Sequence, residues 1–332
     1  MNSEIAPTLN EWQDLYQKAR LFQVFRPWEW FSDDTLIAIE EPVTKDVAYC
    51  SIMGAGGMQY GVIAYRGTAG LLSFVLIAND ALDEDEMLLV QDCLSFSLGD
   101  REMIYLEDRE VHKALGLRFR GRGAWPIFRG HRPGYFPAIP TGQEARFLST
   151  CLGEICGLVE EIRSGRPLPE VTTDSRILAR CRDDAGNWQT TTLPFPPAPP
   201  SPFLEVNELQ LGRLRRELSS VAQTWQIRVQ VVAPIAEGDL SYWAWLLLCV
   251  EEKSGLVIAA DMGGPDDTAQ SQFLKILEQA GALPRELKMT SSHLESQLGP
   301  LTDVLGVKVR QVKRLPELER AAKFFKANFG AP

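Results

Sequence analysis

Apolar residues at helical spacing open the chain. In LNEWQDLYQKARLFQVF, Trp12, Leu15, Tyr16, Ala19, Phe22 and Val24 recur near three- and four-residue intervals, which predicts an amphipathic helix. Pro27 stops it, because proline disfavours helical backbone in the residue before it, and RPWEWF follows as an aromatic anchor. The period then changes. TLIAIE, DVAYCSIMG and MQYGVIAYRG are short, apolar and bounded by turn residues, and predict three strands. Gly54, Gly56 and Gly57, between the last two, look like half of a dinucleotide-binding fingerprint. The third glycine would fall at Gln59, however, and a strand follows where phosphate cradling needs a helix N-terminus. A hairpin turn is expected instead.

Further on, GTAGLLSFVLIAND predicts a helix, CLSFSLGD a strand, and TGQEARFLSTCLGEICGLVEEIRSG a long helix entered through a Thr141–Glu144 capping box. DSRILARCRDDAGNWQTTTLPF predicts a hairpin turning at Gly186. The run PFPPAPPSPF (Pro194–Phe203) has the composition of a semi-rigid polyproline linker. It divides the chain into expected domains at 1–193 and 204–332, joined by 194–203. After it, LEVNELQLGRLRRELSSVAQ predicts a helix, and TWQIRVQVVAP, SYWAWLLLCVEE and GLVIAADM predict three strands. DTAQSQFLKILEQAG, ELKMTS, SHLESQLGPLTDVLG, VKVRQV and LPELERAAKFFKANF continue as helix, strand, helix, strand, helix. Neighbouring strands on short links pair antiparallel, and strands separated by helices add in parallel by right-handed crossovers. The expected fold class is therefore α+β in two domains: an N-terminal antiparallel sheet with helices, then a C-terminal mixed sheet.

That C-terminal order, over roughly residues 224–328, resembles the ribonuclease-H-like fold of polynucleotide nucleases and integrases. The resemblance implies carboxylates converging on two magnesium ions, the first acid lying in the first strand. Here that strand offers Gln226, Arg228 and Gln230, and the strand after the first helix ends KMTSSH, again without an acid. Glu251, Glu252 and Asp261 flank the second and third strands, where solvated hairpin charges normally sit. The expectation is a catalytically empty member of the fold with no metal; a divergent nuclease would have to use these three acids. A second resemblance covers nearly the whole chain. PWEW, YCSIMGAGGMQYGVIAYRGTAG and WPIFRGHRPGYFPAIPTGQEA are similar to a bacterial group of two-domain proteins of unknown function, which implies a cytoplasmic protein and carries over no catalytic residue.

Composition narrows the chemistry. The 332 residues carry a net charge of −10, which disfavours a generic phosphate-backbone binder unless a local basic surface overcomes it. The start, MNSEIAPTLNEW, lacks the basic and apolar regions of a secretory signal, and the longest apolar runs fall short of a membrane span. Six cysteines without a CxxC pair read as free, buried thiols, and three separated histidines (His112, His131, His293) do not suggest zinc. No GxSxG, HExxH or P-loop is present, and nothing local supports a Cys50–His112 nucleophile. No cofactor is expected.

Charge is unevenly distributed, however. Residues 80–110 hold eleven acids against two arginines, a net of −9, whereas 111–143 contain no acid. Within the second stretch, RFRGRGAWPIFRGHRPGYF places Arg118, Arg120, Arg122, Arg129, Arg132 and His131 among Trp125, Tyr135 and other aromatics. Three readings are open. The arginines pair with the acids from Asp83 to Glu86 or with Glu107 and Asp108; the segment is a protein- or peptide-binding surface; or it contacts nucleic acid or another polyanion, with guanidinium forks on phosphates and rings on bases. VKVRQVKR (Val307–Arg314) is a possible second basic edge. The function expected is a non-enzymatic binding or scaffolding protein of unidentified partner, with a nucleic-acid-associated protein as alternative.

Overall fold

The computed structural model describes residues 6–169, 176–197, 203–204, 206–237, 240–260 and 262–329. They form two compact units. The first comprises 1–72, 92–131 and 137–198; the second comprises 73–91, 132–136 and 199–332. Two excursions of the N-terminal half thus pack with the C-terminal residues. Half of the proline-rich linker, 198–202, lies outside the described residues.

The helical elements in chain order are α1 (Leu9–Phe25), α2 (Gly67–Ala78), α3 (Glu84–Val90), α4 (Leu106–Ala114), α5 (Gly142–Arg163), α6 (Glu208–Glu217), α7 (Ala269–Ala280), α8 (Ser292–Leu305) and α9 (Pro316–Phe329). The strands of unit 1 are β1 (Leu36–Glu40), β2 (Val47–Met53), β3 (Gly61–Arg66), β4 (Cys93–Gly99), β5 (Trp125–His131), β6 (Arg176–Arg182) and β7 (Trp188–Pro194). Those of unit 2 are β8 (Ser219–Glu237), β9 (Leu240–Glu251), β10 (Val257–Ala259), β11 (Met262–Gly263), β12 (Ala282–Met289) and β13 (Lys308–Gln311).

In unit 1 the strands lie in the order β5-β4-β3-β2-β1-β6-β7. Every pairing is antiparallel except β1 with β6, which run parallel, so the expected antiparallel sheet is in fact mixed. The long α5 between β5 and β6 is what separates β6 from a hairpin partner and lets it enter beside β1. α1 begins at a reciprocal cap: Glu11 accepts from the Thr8 backbone N–H at 2.7 Å, and Thr8 Oγ1 accepts from the Glu11 N–H at 3.3 Å. Trp12, Leu15, Tyr16, Ala19 and Phe22 are buried as the period requires, but Val24 points to solvent. These side chains pack with Leu148, Cys151, Leu152 and Ile155 of α5 against Ile37, Cys50, Ile52, Ala64 and Phe96 of the sheet. Fully burying each large apolar group contributes about 1.5–3 kcal/mol. The β2–β3 link is a turn, with the Gly57 N–H donating to the Gly54 carbonyl at 3.0 Å; both glycines have positive φ. Gly54 has no room for a side chain, since an added Cβ would lie 2.6 Å from the Tyr60 ring and 2.9 Å from Trp28.

Unit 2 has the order β10-β9-β8-β12-β13, with β11 also on β9. β8, β9 and β10 pair antiparallel, and β12 runs parallel to both β8 and β13. Three antiparallel strands are thus followed by α-β-α-β-α. The apolar run of β9 divides between two layers by strand alternation. Trp245, Leu247 and Cys249 face a core built with Leu214 of α6, Phe273 and Leu277 of α7, and Leu298 of α8. Leu246, Leu248 and Val250 face Leu318 and Ala322 of α9. β13 closes one end of the strand order with Lys308 and Arg310 exposed, the charge usual on an unpaired strand edge.

Three boundaries differ from the sequence reading. α6 ends at Glu217, and Ser219–Ala222 belong to β8, because their pairing with Ala282–Pro284 of β12 outweighs local helical preference. β12 correspondingly begins at Ala282 rather than Glu286. α3, α4 and β5 were not apparent in the pattern at all: the charge-rich 80–115 stretch hides two short helices, and the arginine-rich segment hides a core strand. All six cysteines are free and buried. Among the described residues, no helix is long and apolar enough to cross a membrane.

Candidate functional site

In unit 1, α4 and the chain leading into β5 enclose the feature with the clearest chemical character. α4 is held by a buried ion pair. Arg129 of β5 donates from Nη1 to Asp108 Oδ1 at 2.9 Å and from Nη2 to Oδ2 at 2.6 Å, and both side chains are almost inaccessible. The same guanidinium lies 4.2 Å over the Tyr105 ring, and Asp108 Oδ2 accepts from the Tyr105 backbone N–H at 2.8 Å. A bidentate pair of this kind sets orientation as well as position. It turns Arg109, His112 and Lys113, at i, i+3 and i+4, onto one face of α4.

Opposite that face, residues 117–120 carry no regular secondary structure, and burial alternates along them. Phe119 turns inward, while Arg118 and Arg120 are exposed. Gly121 and Gly123, both at positive φ, turn the chain toward β5, and the Gly123 N–H donates to Asp100 Oδ1 at 2.7 Å. Trp125 begins β5. A ring cluster floors the space: His112 to Phe119 is 5.0 Å between centroids, Phe119 to Trp125 5.7 Å, and His112 to Trp125 6.0 Å. Beneath them, Tyr16 meets His112 at 5.5 Å and Phe128 at 5.0 Å.

The resulting cleft has a volume of about 420 Å³. Five cations line it: Arg101, Arg109, Lys113, Arg118 and Arg120. None of the five forms an ion pair among the described residues. The nearby acids Glu102, Glu107 and Glu110 are exposed and do not line the cleft. His112 does line it, is only 6% exposed, and its Nε2 has no hydrogen-bond partner among the described residues. Burial pushes its pKa down against the opposing pull of Asp108, so the imidazole is neutral near pH 7.

The arginine-rich segment is therefore divided among several tasks. Arg118, Arg120 and Trp125 meet in the cleft. Arg122 is exposed outside it, without an ion pair among the described residues. Arg129 takes the internal pairing with Asp108 that the charge pattern allowed. His131 shares a 3.0 Å hydrogen bond with Ser95 Oγ, and its pKa is pushed down to about 4 by burial and by Arg66 and Arg129. Arg132 and Tyr135 belong to unit 2, where Tyr135 bridges Tyr242 of β9. Sequence reasoning missed Arg101, Arg109, His112 and Lys113 as site residues. The REVHK spacing of Arg109–Lys113 was the available signal, hidden by the net acidity of its surroundings.

In unit 2 the polar positions of β8 and the β9–β10 turn are engaged. Gln226 accepts from the Leu318 N–H of α9 at 3.1 Å and donates to Glu252, which also takes two bonds from Lys288 Nζ at 2.7 and 2.8 Å. Gln230 Nε2 donates to Asp85 of α3 at 2.7 Å, and Arg228 lies 3.7 Å from the same carboxylate. Glu251 closes the turn by accepting from the backbone N–H groups of Lys253 and Ser254 at 3.1 and 2.7 Å. Asp261 lies outside the described residues. Among the described residues, no three His, Cys, Asp or Glu side chains are grouped to hold a metal ion. Cys50 is fully buried beside Cys151, while His112 sits among rings.

The fold and the site define a two-unit α+β protein with an arginine-lined aromatic cleft in its first unit. The chain belongs to the family described as Domain of unknown function (DUF7309), whose model matches residues 12–180. A second model, Domain of unknown function (DUF6930), matches residues 210–326. No curated protein matches the chain.

Proposed function

We propose that this protein is a non-catalytic binding protein that captures a phosphate-bearing anion in the cleft between α4 and the 117–125 segment. The observation that carries the reading is the set of five unpaired cations around an aromatic floor, in a chain whose net charge is −10. Like charges left together without counter-carboxylates repel one another, and an anionic ligand relieves that repulsion. Arginine forks suit phosphate oxygens bidentately. Binding rather than hydrolysis is favoured because the residues that line the cleft include no carboxylate, thiol or hydroxyl side chain.

The test is titration of the purified chain with a labelled polyphosphate across a salt series, alongside the Arg118→Glu/Arg120→Glu variant. Both side chains are exposed, so the fold is retained. Binding should weaken with salt and fall at least tenfold on reversal, since each charged hydrogen bond contributes about 1.5–3 kcal/mol. Affinity that ignores both changes would place the binding surface elsewhere.

A further inference from the structure

Resting on that reading, we infer that the ligand is a nucleoside di- or triphosphate, bound one molecule to a cleft. The volume of about 420 Å³ lies in the range of small-molecule sites, roughly 300–1,000 Å³. The ring surface is compact: Phe119, Trp125 and His112, the rings that line the cleft, lie within 6.0 Å of one another. Such a floor accommodates one base. Strand-binding grooves instead repeat their aromatics along a basic track.

The charge distribution is equally local. Arg118 and Arg120 are the exposed residues of one short segment, and Arg109 and Lys113 of α4 line the same cleft, a grouping suited to a short run of phosphates. Glu107 and Glu110, exposed on α4 but outside the cleft lining, bring negative charge to the same helix and oppose the continuation of a polyanion. The neutral His112 imidazole, with an unpartnered Nε2, supplies a buried polar atom for a base edge or sugar hydroxyl rather than another charge. Inorganic phosphate chains would leave both the rings and this nitrogen unused.

Calorimetric titration of the full chain, without divalent cation, compares ATP, GTP, CTP and UTP with inorganic tripolyphosphate and with single-stranded RNA of increasing length. A nucleoside triphosphate should bind roughly 5- to 100-fold tighter than tripolyphosphate, the range expected for one stacked base. Trp125→Ala should lower nucleoside triphosphate affinity far more than tripolyphosphate affinity, so that the ratio between the two collapses. Trp125→Phe, which keeps a ring and its packing, should preserve most of it, and Arg122→Ala should bind as the parent does. Equal affinity for tripolyphosphate and nucleotide would overturn the nucleoside inference while leaving the anion-binding reading intact. RNA affinity that climbs with length beyond one nucleotide would replace the nucleotide by a strand. Binding of none of these ligands would defeat both proposals.

Discussion

Asp108 is the residue on which the cleft's geometry turns. Substituting it by alanine strips both carboxylate oxygens from the Arg129 guanidinium, leaving the Phe128 carbonyl at 2.7 Å and the Tyr105 ring. Arg129 cannot shed its proton, and its side chain is only 7% exposed. The structure therefore retains an uncompensated buried cation, a change that costs about 3–5 kcal/mol. The Tyr105 N–H at the start of α4 loses its acceptor as well. For a unit of this size, 1 kcal/mol moves the melting temperature by about 2–4 °C, so the unit 1 transition should fall by about 6–20 °C in scanning calorimetry. A second variant separates charge from packing. Asp108→Leu with Arg129→Met replaces the pair by apolar groups and should recover most of the loss, because such exchanges are often neutral or stabilising. A single variant within about 1 kcal/mol of the parent would refute the buried pair. A double variant no better than the single would show that lost packing, not stranded charge, is responsible.

Three further outcomes follow from other parts of the molecule. His131 has its folded pKa pushed down to about 4, below its usual 6.5, so between these values the unfolded chain binds the extra proton. Unit 1 should lose stability as pH falls through that window, by up to about 3 kcal/mol, and His131→Gln should flatten the dependence in acid denaturation profiles. Glu86 has the opposite sign: burial raises it from 4.5 to about 7, so its contribution is present below 4.5 and is lost as pH rises through 7. Glu86→Gln should accordingly stabilise unit 2 at pH 8 but not at pH 4, measured by urea unfolding at both pH values. Gly54→Ala should destabilise unit 1 by about 1–3 kcal/mol, through positive φ and the clash with Tyr60 and Trp28; a neutral effect would show that the turn readjusts.

Much of the architecture was legible because local pattern and tertiary environment agree. The α1 stripe, the α5 capping box, the Gly186 turn and the two-sided apolar run of β9 each state their structure in residues close in sequence. The order of three strands followed by alternating helices was readable for the same reason. Glu251 differs from the solvated hairpin charge its position suggested: it is buried and accepts from the next residues along the turn.

Other features depend on partners distant in sequence, and no window of residues contains them. Ser219–Ala222 is strand only because β12 lies beside it. α3 presents three acids, yet Asp85 meets Gln230 and Arg228 of β8 at 145 and 143 positions' remove, which places this excursion in unit 2. The cleft is the strongest instance. The concentration of arginines and aromatics between Arg118 and Tyr135 is a property of composition along the chain. Which of them act together depends on the packing of distant elements. Pairing with Asp108 withdraws Arg129 into the core and turns α4, and that rotation brings Arg109, His112 and Lys113 opposite Arg118 and Arg120. A charge becomes buried or available according to what packs over it, and packing is a property of the whole fold.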